Sequence, residues 1–138
     1  MSKLVRFGVS LEKDLLQRFG ERLKEKGYTN RSEAIRDLIR EDLVTKEWQE
    51  NKQVTGAITL VYNHHKRQLL NRLMDVQHGY HDNILSTQHI HLDENNCLEI
   101  IVIAGRPKEI EALYGKLRSA KGVKHAGFTA STTGKDVI

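Results

Sequence analysis

The sequence predicts an α+β protein in two parts, a βαα unit at residues 1–50 and a βαββαβ unit at residues 51–138. Three observations lead to this fold class. A period-two apolar pattern precedes two helical patterns, stretches rich in β-branched residues alternate with helical stretches farther on, and a mostly polar segment at 46–53 separates the two regions. A length of 138 residues suits one domain or two small ones.

The first two elements are a strand and a helix. From Val5 to Leu11, apolar residues alternate with polar residues and a glycine, which predicts a strand with one buried face. A helical pattern then runs from about Glu12 to Lys26. Ser10 is a plausible N-cap for this helix, and Gly27 is the expected stop just beyond its end.

A second helix is predicted from Arg31 to about Lys46. Asn30 followed by Glu33 is typical of a capping box with Asn in the Ser/Thr place. The apolar face of this helix consists of Ala34, Ile35, Leu38, Ile39 and Leu43. So small a unit buries little surface, and a single strand cannot satisfy its own backbone groups. We therefore expect an obligate dimer in which two chains pair their strands and interleave their helices.

The second half of the chain predicts six elements in the order βαββαβ. This order is a split βαβ arrangement with two helices on one face of an antiparallel sheet. Turn-forming residues at 93–96 separate the second and third strands, and Pro107 suits the first position of the last helix. The predicted strands are 54–62, 84–92, 97–104 and 123–130, and the predicted helices are 65–76 and 107–119.

Composition limits the classes of function. The net charge is +4, and residues 1–31 hold eight Lys or Arg against four Asp or Glu, so the basic excess lies at the N-terminus. That charge permits a nucleic-acid partner without requiring one. A single cysteine excludes an intrachain disulfide framework and favours a reducing compartment. Without an apolar run near 20 residues or a signal-peptide pattern, we expect a cytoplasmic protein with no membrane contact.

Four residues form a candidate metal site. His89 and His91 are two apart on a predicted strand and therefore share a face, and Cys97 follows on the next strand across a short turn. We expect these three side chains to converge within one chain, and the distance of His78 leaves open which chain's metal it would reach. Thiolate and imidazole ligands favour a late first-row divalent metal. A planar arrangement would suit Ni(II) or Cu(II), and a tetrahedral one Zn(II).

The N-terminal unit has the features of a DNA-binding module. A ribbon of two paired strands can enter the major groove, where an outward arginine can grip guanine, and a helix N-terminus can bind a phosphate. The candidate contacts are Arg6, Gly8 and Ser10 on the strand and Asn30, Arg31 and Ser32 at the start of the second helix. The alternative is a solvated strand face followed by an ordinary capped helix.

Two motifs resemble a known family. The run Gly27–Arg36 closely resembles the ribbon-helix-helix family of dimeric repressors, and within it the nickel-responsive regulators of the NikR type. The spacing of His78, His89, His91 and Cys97 is similar to the high-affinity nickel site of those regulators. The resemblance covers nearly the whole chain, from about Arg6 to Phe128, and the C-terminal region looks like the ACT class of ferredoxin-like sensing domains.

The resemblance implies a function. The protein would be a homotetramer, a dimer of dimers, that binds one Ni(II) per subunit. Two histidines and the cysteine would come from one subunit, and His78 from its neighbour. Nickel would favour the conformation that binds a double-stranded DNA operator and represses nickel uptake genes. No enzymatic activity and no small organic substrate are implied.

The resemblance also implies roles for residues around the metal. Glu99 shares strand parity with Cys97, so it can orient a ligand imidazole through a hydrogen bond. Tyr62 and His64 are further candidates for this supporting role. Glu33 and Asp37, one helical turn apart, resemble the pair that helps hold a cation between the two domains. His65, His81 and His125 are either surface residues or weaker auxiliary ligands.

Other functions remain alternatives at this stage. An antitoxin-type ribbon-helix-helix repressor would carry a disordered tail, whereas residues 54–130 are patterned for a packed domain. A metalloenzyme would keep a water at an open metal position. A metal store would leave the N-terminal unit unexplained. A regulator that responds to cobalt, copper or zinc would use the same residues.

Overall fold

The computed structural model describes residues 3–138 and divides the chain into two compact units. The first unit ends at Glu41, and the second comprises Asp42–Ile138. The division falls inside a helix, several residues before the polar segment at which the sequence suggested a boundary. No helix in the described part of the chain is long and apolar enough to cross a membrane.

Helix α1 spans Lys13–Glu25 and ends in the way that the sequence predicts. Gly27 has a φ of 80°, in the left-handed region. Its N–H donates to the carbonyl of Lys24 at 3.1 Å, and the Tyr28 N–H donates to the carbonyl of Leu23 at 2.9 Å. These two bonds are those of a Schellman motif, in which a glycine at the first position beyond the cap carries no Cβ penalty.

The start of α1 differs from the prediction. The N-cap is Glu12, not Ser10, and no side chain caps the helix there. Because the helix begins at Lys13, the Ser10 hydroxyl lies too far upstream for the first free N–H groups. Asp14 in the first turn supplies a favourable negative charge near these groups instead.

Helix α2 spans Arg31–Gln49 and is capped as predicted. The Asn30 side-chain carbonyl accepts a hydrogen bond from the Glu33 N–H at 2.9 Å. The helix runs three residues beyond the predicted end at Lys46, so part of the expected polar linker is helical.

The expected N-terminal strand is not formed in the single chain. Residues 3–11 have no assigned strand, and the apolar side chains among them are between 45% exposed at Leu11 and 95% exposed at Leu4. A strand needs a neighbour to satisfy its N–H and C=O groups, and one chain of this unit contains only one such segment. The period-two pattern is therefore present without the pairing that would make it a strand.

The first unit has almost no core of its own. Among its described residues only Leu23 and Ala34 are buried. An open groove of about 1470 Å³ runs between the N-terminal segment and the two helices, with Phe7, Phe19 and Ile39 among its lining residues. Two short helices that bury so little apolar surface gain too little free energy to offset the entropy of ordering the chain.

The second unit has the predicted βαββαβ order. Its elements are β1 (Val54–Asn63), α3 (Arg67–His78), β2 (Ile84–His91), β3 (Asn96–Gly105), α4 (Pro107–Arg118) and β4 (Val123–Ser131). The four strands form one antiparallel sheet in the order β2-β3-β1-β4. This confirms the ferredoxin-like topology, which ACT domains share. Helix α3 begins two residues later than predicted and ends at His78.

The core lies between the sheet and the two helices. Alternate residues of β1 and β3 are buried, as expected for strands with one face against helices. The buried cluster includes Ile58, Leu60, Ile101 and Ile103 from the sheet, and Leu69, Leu73, Ile110, Leu113 and Leu117 from the helices. The central strands supply most of this face, whereas β2 is an exposed edge strand.

The end of α2 is fixed to the second unit. The Trp48 ring packs edge-on against Phe128 with centroids 5.5 Å apart, and its indole N–H donates to the Ser131 carbonyl at 2.9 Å. The Thr132 hydroxyl donates to the Glu47 carboxylate at 2.7 Å. A single aromatic residue within a polar segment gives only a weak sequence signal for such packing, and the predicted linker is consequently shorter.

Candidate metal centre and nucleic-acid interface

Four candidate side chains lie on the helix-covered face of the sheet. His91 is paired with Cys97 and His89 with Glu99 across β2 and β3. Directly opposite residues of an antiparallel pair project to the same side. Cys97 and Glu99 are each 1% exposed and belong to the buried face of β3. The two histidines therefore extend from the exposed edge strand over the rim of the core.

The Glu99 carboxylate is the centre of a hydrogen-bond network. It accepts a hydrogen bond from the Tyr62 hydroxyl at 2.6 Å and another from the Gln77 amide at 2.8 Å. The His89 Nε2 atom lies 3.7 Å from Glu99 Oε2. A buried carboxylate is costly unless its oxygens are hydrogen-bonded. This network satisfies both oxygens and joins β1, α3 and β2 through one residue of β3.

Tyr62 is tuned by this environment. Burial, together with the hydrogen bond to the Glu99 carboxylate, raises the pKa of the Tyr62 phenol above its ordinary value. Cys97, which faces Tyr62 across β1 and β3, contributes to the same direction of shift. The phenol therefore stays protonated and acts as a fixed donor toward the site.

The two strand histidines are exposed but held by different neighbours. The His89 side chain is 54% exposed and faces Glu99. The His91 ring stacks on His64, with centroids 4.4 Å apart and planes 3° apart. Each imidazole thus has one neighbour that restrains its orientation while the other side remains accessible.

His78 is not gathered with the strand ligands. It is the exposed last residue of α3, and its ring lies 6.2 Å from that of His81. Among residues 3–138, no three or more His, Cys, Asp or Glu side chains are grouped closely enough to hold a metal ion. The expected convergence of His89, His91 and Cys97 in one chain is therefore not present, because the thiol is buried beside Tyr62 while the imidazoles are exposed.

Sequence reasoning missed Gln77. Its amide binds Glu99, and it immediately precedes His78, so it ties the last turn of α3 to the strand network. The available signal was an amide donor next to a candidate ligand. Only the tertiary structure shows that a residue 22 positions away along the chain is its partner.

The donor set fits a late transition metal. The chain offers exposed imidazoles and one buried thiol on a single face, with a carboxylate that can accept an N–H from a ligand imidazole. An imidazole that binds a metal through one nitrogen usually donates its other N–H to such an acceptor. A second polar atom, the buried His64 Nε2, has no hydrogen-bond partner within the described residues. The site therefore resembles a metal centre with unused polar capacity.

The turn between β2 and β3 is well ordered by Asp93. Its carboxylate accepts hydrogen bonds from the backbone N–H groups of Asn95 and Asn96 at 2.8 and 2.7 Å and from the Asn96 amide. These bonds, with the Asn96 side chain contributing most, lower the pKa of Asp93 to about 2. The turn thereby fixes the register that sets His91 opposite Cys97.

The candidate DNA contacts lie on the first unit and are exposed. Arg6, Gly8 and Ser10 belong to the segment that has no strand partner in one chain. Asn30, Arg31 and Ser32 lie at the start of α2, where Asn30 acts as the cap. An exposed basic segment beside a helix N-terminus is an arrangement that can bind phosphates.

Glu33 and Asp37 already have cationic partners. Glu33 pairs with Arg36 at 2.6 Å, and Asp37 pairs with Arg40 at 2.9 Å. The Tyr28 hydroxyl also donates to Asp37 at 2.5 Å. This hydrogen bond lowers the pKa of Asp37 and raises the pKa of Tyr28. A cation at these carboxylates would have to replace the arginines.

The three remaining histidines lie on the surface of the second unit. His65 Nε2 lies 2.8 Å from the Glu94 carbonyl, and His81 Nε2 lies 3.1 Å from the Asp82 carboxylate. His125 is an exposed residue of β4. These contacts explain their positions without a metal.

Comparison with protein families matches both parts of the chain. Residues 55–131 match the family described as the NikR C terminal nickel binding domain. Residues 5–46 match the family described as ribbon-helix-helix protein, copG family. The second match covers the segment that lacks a strand partner here and supports the predicted ribbon-helix-helix class of the first unit.

Similar proteins and structures agree with these matches. A nickel-responsive regulator of Syntrophus aciditrophicus is 54% identical over 135 residues, with 98% of each chain covered. One from Pyrococcus furiosus is 51% identical over 136 residues, covering 98% of this chain and 99% of the relative. An uncharacterized protein of Thermotoga maritima has a similar fold, with a TM-score of 0.53 and 20% identity over 57% of this chain and 98% of its own.

The full-length relatives and the two matched domains carry the same assignment. The βαββαβ sheet bears the predicted histidines and cysteine in its second and third strands, and the βαα segment precedes it. The chain belongs to the family of nickel-responsive regulators, which join a ribbon-helix-helix domain to a nickel-binding domain.

Proposed function

We propose that this protein is a cytoplasmic, nickel-dependent transcriptional regulator that represses nickel uptake genes. One Ni(II) per subunit would bind through His89, His91 and Cys97 of one chain and His78 of a neighbouring chain. The observation that carries the proposal is the register of β2 and β3, which sets two exposed imidazoles over a buried thiol on one face. Bound nickel would supply a fixed positive centre that links two subunits.

A ligand from a neighbouring chain accounts for the incomplete cluster. His78 is exposed at the end of α3 and is not grouped with the other three candidates. The Gln77 bond to Glu99 holds the turn that carries His78, so the order of α3 depends on the same carboxylate that faces His89. Metal binding would therefore reinforce the order of α3 in each subunit and connect it to the next.

Pairing of two N-terminal units would complete the ribbon. The exposed Val5, Phe7 and Val9 and the groove beside them offer the apolar surface that a second copy would cover. The paired strands would then turn Arg6, Gly8 and Ser10 toward the major groove. Two such dimers joined through the second units give the proposed homotetramer.

Nickel would act by shifting a population of conformations. A ligand can shift an equilibrium only by its differential affinity for the two states. The second unit holds the end of α2 through Trp48, so order in the sheet domain reaches the helix that begins in the DNA-binding unit. In the favoured state, both ribbons would lie on one operator. Glu33 and Asp37 would hold a cation in that state only by releasing Arg36 and Arg40.

The decisive experiment is nickel-dependent retention of fragmented genomic DNA from the source organism. Purified full-length protein would be used at fixed salt with no metal, Ni(II), Zn(II) or Cu(II), because phosphate contacts make DNA binding strongly salt-dependent. We expect Ni(II) to enrich one or a few fragments. Equal enrichment with every metal would contradict nickel dependence, and no specific enrichment would contradict the regulator itself.

An Arg6→Ala variant tests the proposed base contact on the enriched fragment. Loss of a bidentate arginine–guanine contact should weaken specific binding by ~1–3 kcal/mol. Arg22→Ala, which removes an exposed arginine paired with Glu25 on α1, is the matched control. An unchanged ratio of specific to nonspecific affinity in Arg6→Ala would remove the assignment of Arg6 to a base.

A further inference from the structure

We propose that His64 is a positioning residue that fixes the ring plane of His91 and thereby favours planar over tetrahedral metal coordination. The proposal rests on the proposed function, in which His91 is a metal ligand. It assigns a specific role to a side chain at the end of β1 that does not itself bind the ion.

The contact between the two rings is a parallel stack. The centroids of His64 and His91 are 4.4 Å apart, and the planes differ by only 3°. Rotation of the His91 ring about its side-chain bonds would break this face-to-face contact. Because His91 lies exposed on an edge strand, few other groups restrain it, and His64 is the ring that lies against it.

His64 is itself held firmly by the chain. Its N–H donates to the Asn95 carbonyl at 3.0 Å, which ties the end of β1 to the turn between β2 and β3. The His65 ring lies on it at 4.2 Å, and His65 Nε2 is 2.8 Å from the Glu94 carbonyl. The stack is thus anchored to the same turn that sets the register of His91.

The geometry argues against His64 as a ligand to the same ion. An imidazole coordinates through a lone pair in the plane of its ring. Two rings stacked 4.4 Å apart with parallel planes direct their lone pairs along parallel planes, which do not meet at one metal ion. His64 Nε2 is also buried. Its role is therefore to present a flat ring rather than a nitrogen.

Ring orientation bears on the choice of metal. The ligand set suits Ni(II) or Cu(II) when the donor atoms lie in a plane and Zn(II) when they are tetrahedral. If the His91 plane is fixed, the direction of its metal bond is fixed as well. A ring free to turn can follow a tetrahedral ion as easily as a planar one, so loss of the stack should reduce discrimination between the metals.

The test compares His64→Ala with His64→Phe in the full-length protein. Alanine removes the ring, whereas phenylalanine keeps a flat ring and removes both nitrogens. Affinities for Ni(II) alone and Zn(II) alone would be measured by competition with a chelator. The nickel–thiolate absorption band would report coordination geometry. His125→Ala removes an exposed imidazole on β4, at the opposite edge of the sheet from β2, and serves as the control.

We expect His64→Ala to weaken Ni(II) binding ~10- to 100-fold, the range for residues that orient a ligand, with a smaller loss for Zn(II) and an altered absorption band. His64→Phe should restore both the affinity ratio and the band. An unchanged ratio in His64→Ala would overturn the proposal. Equal losses in the two variants would overturn it as well, because the nitrogen and not the ring would then matter.

Failure of the proposed function would look different. If His91→Ala and Cys97→Ala bind Ni(II) as tightly as the unmodified protein, the ligand set itself is wrong. If those two variants lose nickel but His64→Ala does not, the ligand set stands and only the role of His64 fails. Circular dichroism of each metal-free variant would show whether the fold is retained.

Discussion

At the scale of single residues, Glu99 has the widest influence on the candidate site. It is buried, and its two oxygens accept bonds from Tyr62 and Gln77 while His89 lies close by. A buried, hydrogen-bonded carboxylate can orient an imidazole without competing for the metal, since its oxygens are already engaged. The exposed histidines can therefore be preorganised even on an edge strand.

Cys97→Ala should abolish tight nickel binding. Removal of a ligand should cost more than the roughly 10- to 100-fold expected for an orienting residue. The measurement is competition with a chelator, combined with loss of the nickel–thiolate band. Thr87→Ala changes a residue of β2 that projects to the same face and should leave nickel affinity unchanged. Tight binding retained in Cys97→Ala would show that the thiol is not a ligand.

Asp93 should titrate with a pKa of about 2 in the metal-free protein. Because the folded pKa is lowered, the stabilisation is complete above the ordinary pKa of ~3.9 and is lost as pH falls through about 2. NMR titration of the carboxyl carbon would follow this. Asn96→Ala should raise the pKa toward ~3.9, since the Asn96 amide is the largest cause of the shift.

Asn95→Ala is the control for this titration, because Asn95 donates only its backbone N–H to Asp93. The pKa of Asp93 should stay low in that variant. A rise of equal size in Asn95→Ala and Asn96→Ala would show that the fold of the turn, and not the Asn96 amide, sets the pKa.

At the scale of elements, the edge strand and the turn show what the pattern of residues could predict. The βαββαβ order follows from periodicity, and every element of the second unit lies within a few residues of its predicted span. The register of His91 against Cys97 followed from the short turn at 93–96. The depth of burial did not follow, because it depends on how the helices cover each strand.

The first unit shows the opposite limit. Its residues at 5–11 alternate as a strand should, yet they are not paired in a single chain. Pattern alone predicts which face would be buried but cannot supply the neighbouring strand. The Ser10 cap was wrong for a related reason: the chain enters α1 two residues later, and that entry angle depends on the position of the N-terminal segment.

Gly105→Ala should destabilise the second unit by ~1–3 kcal/mol. Gly105 has a φ of 150°, which residues with a side chain rarely adopt, and an added Cβ would collide with the Asn83 amide nitrogen. Urea unfolding of the metal-free protein would measure the loss. Gly115→Ala is the control, because it lies inside α4 with open space around its Cα and should gain up to ~1 kcal/mol. Equal effects at both positions would contradict the strain argument.

At the scale of the whole molecule, the proposed mechanism requires that the metal and DNA sites share one equilibrium. The two units are separate compact bodies that divide within α2. The end of α2 is bound to the sheet domain through Trp48 and Glu47. Coupling is therefore expected to act on populations of domain arrangements rather than through a direct bond between the metal and DNA.

Nickel and operator DNA should raise each other's affinity by the same factor. Linkage requires this equality, and coupling of this kind is typically about 5- to 150-fold. Operator affinity would be measured with and without Ni(II), and nickel affinity with and without operator, at one salt concentration. Tight nickel binding that leaves operator affinity unchanged would contradict a nickel-responsive role for the metal centre.

The sequence alone determined the two-part α+β architecture, the capped helices of the first unit and the family, because periodicity, capping residues and ligand spacing are local properties. It also placed His89, His91 and Cys97 on two neighbouring strands. Only the tertiary structure revealed the Gln77–Glu99 bond, the His64–His91 stack and the separation of His78 from the other candidates. These features join residues distant in the chain, and packing in three dimensions decides which of them meet.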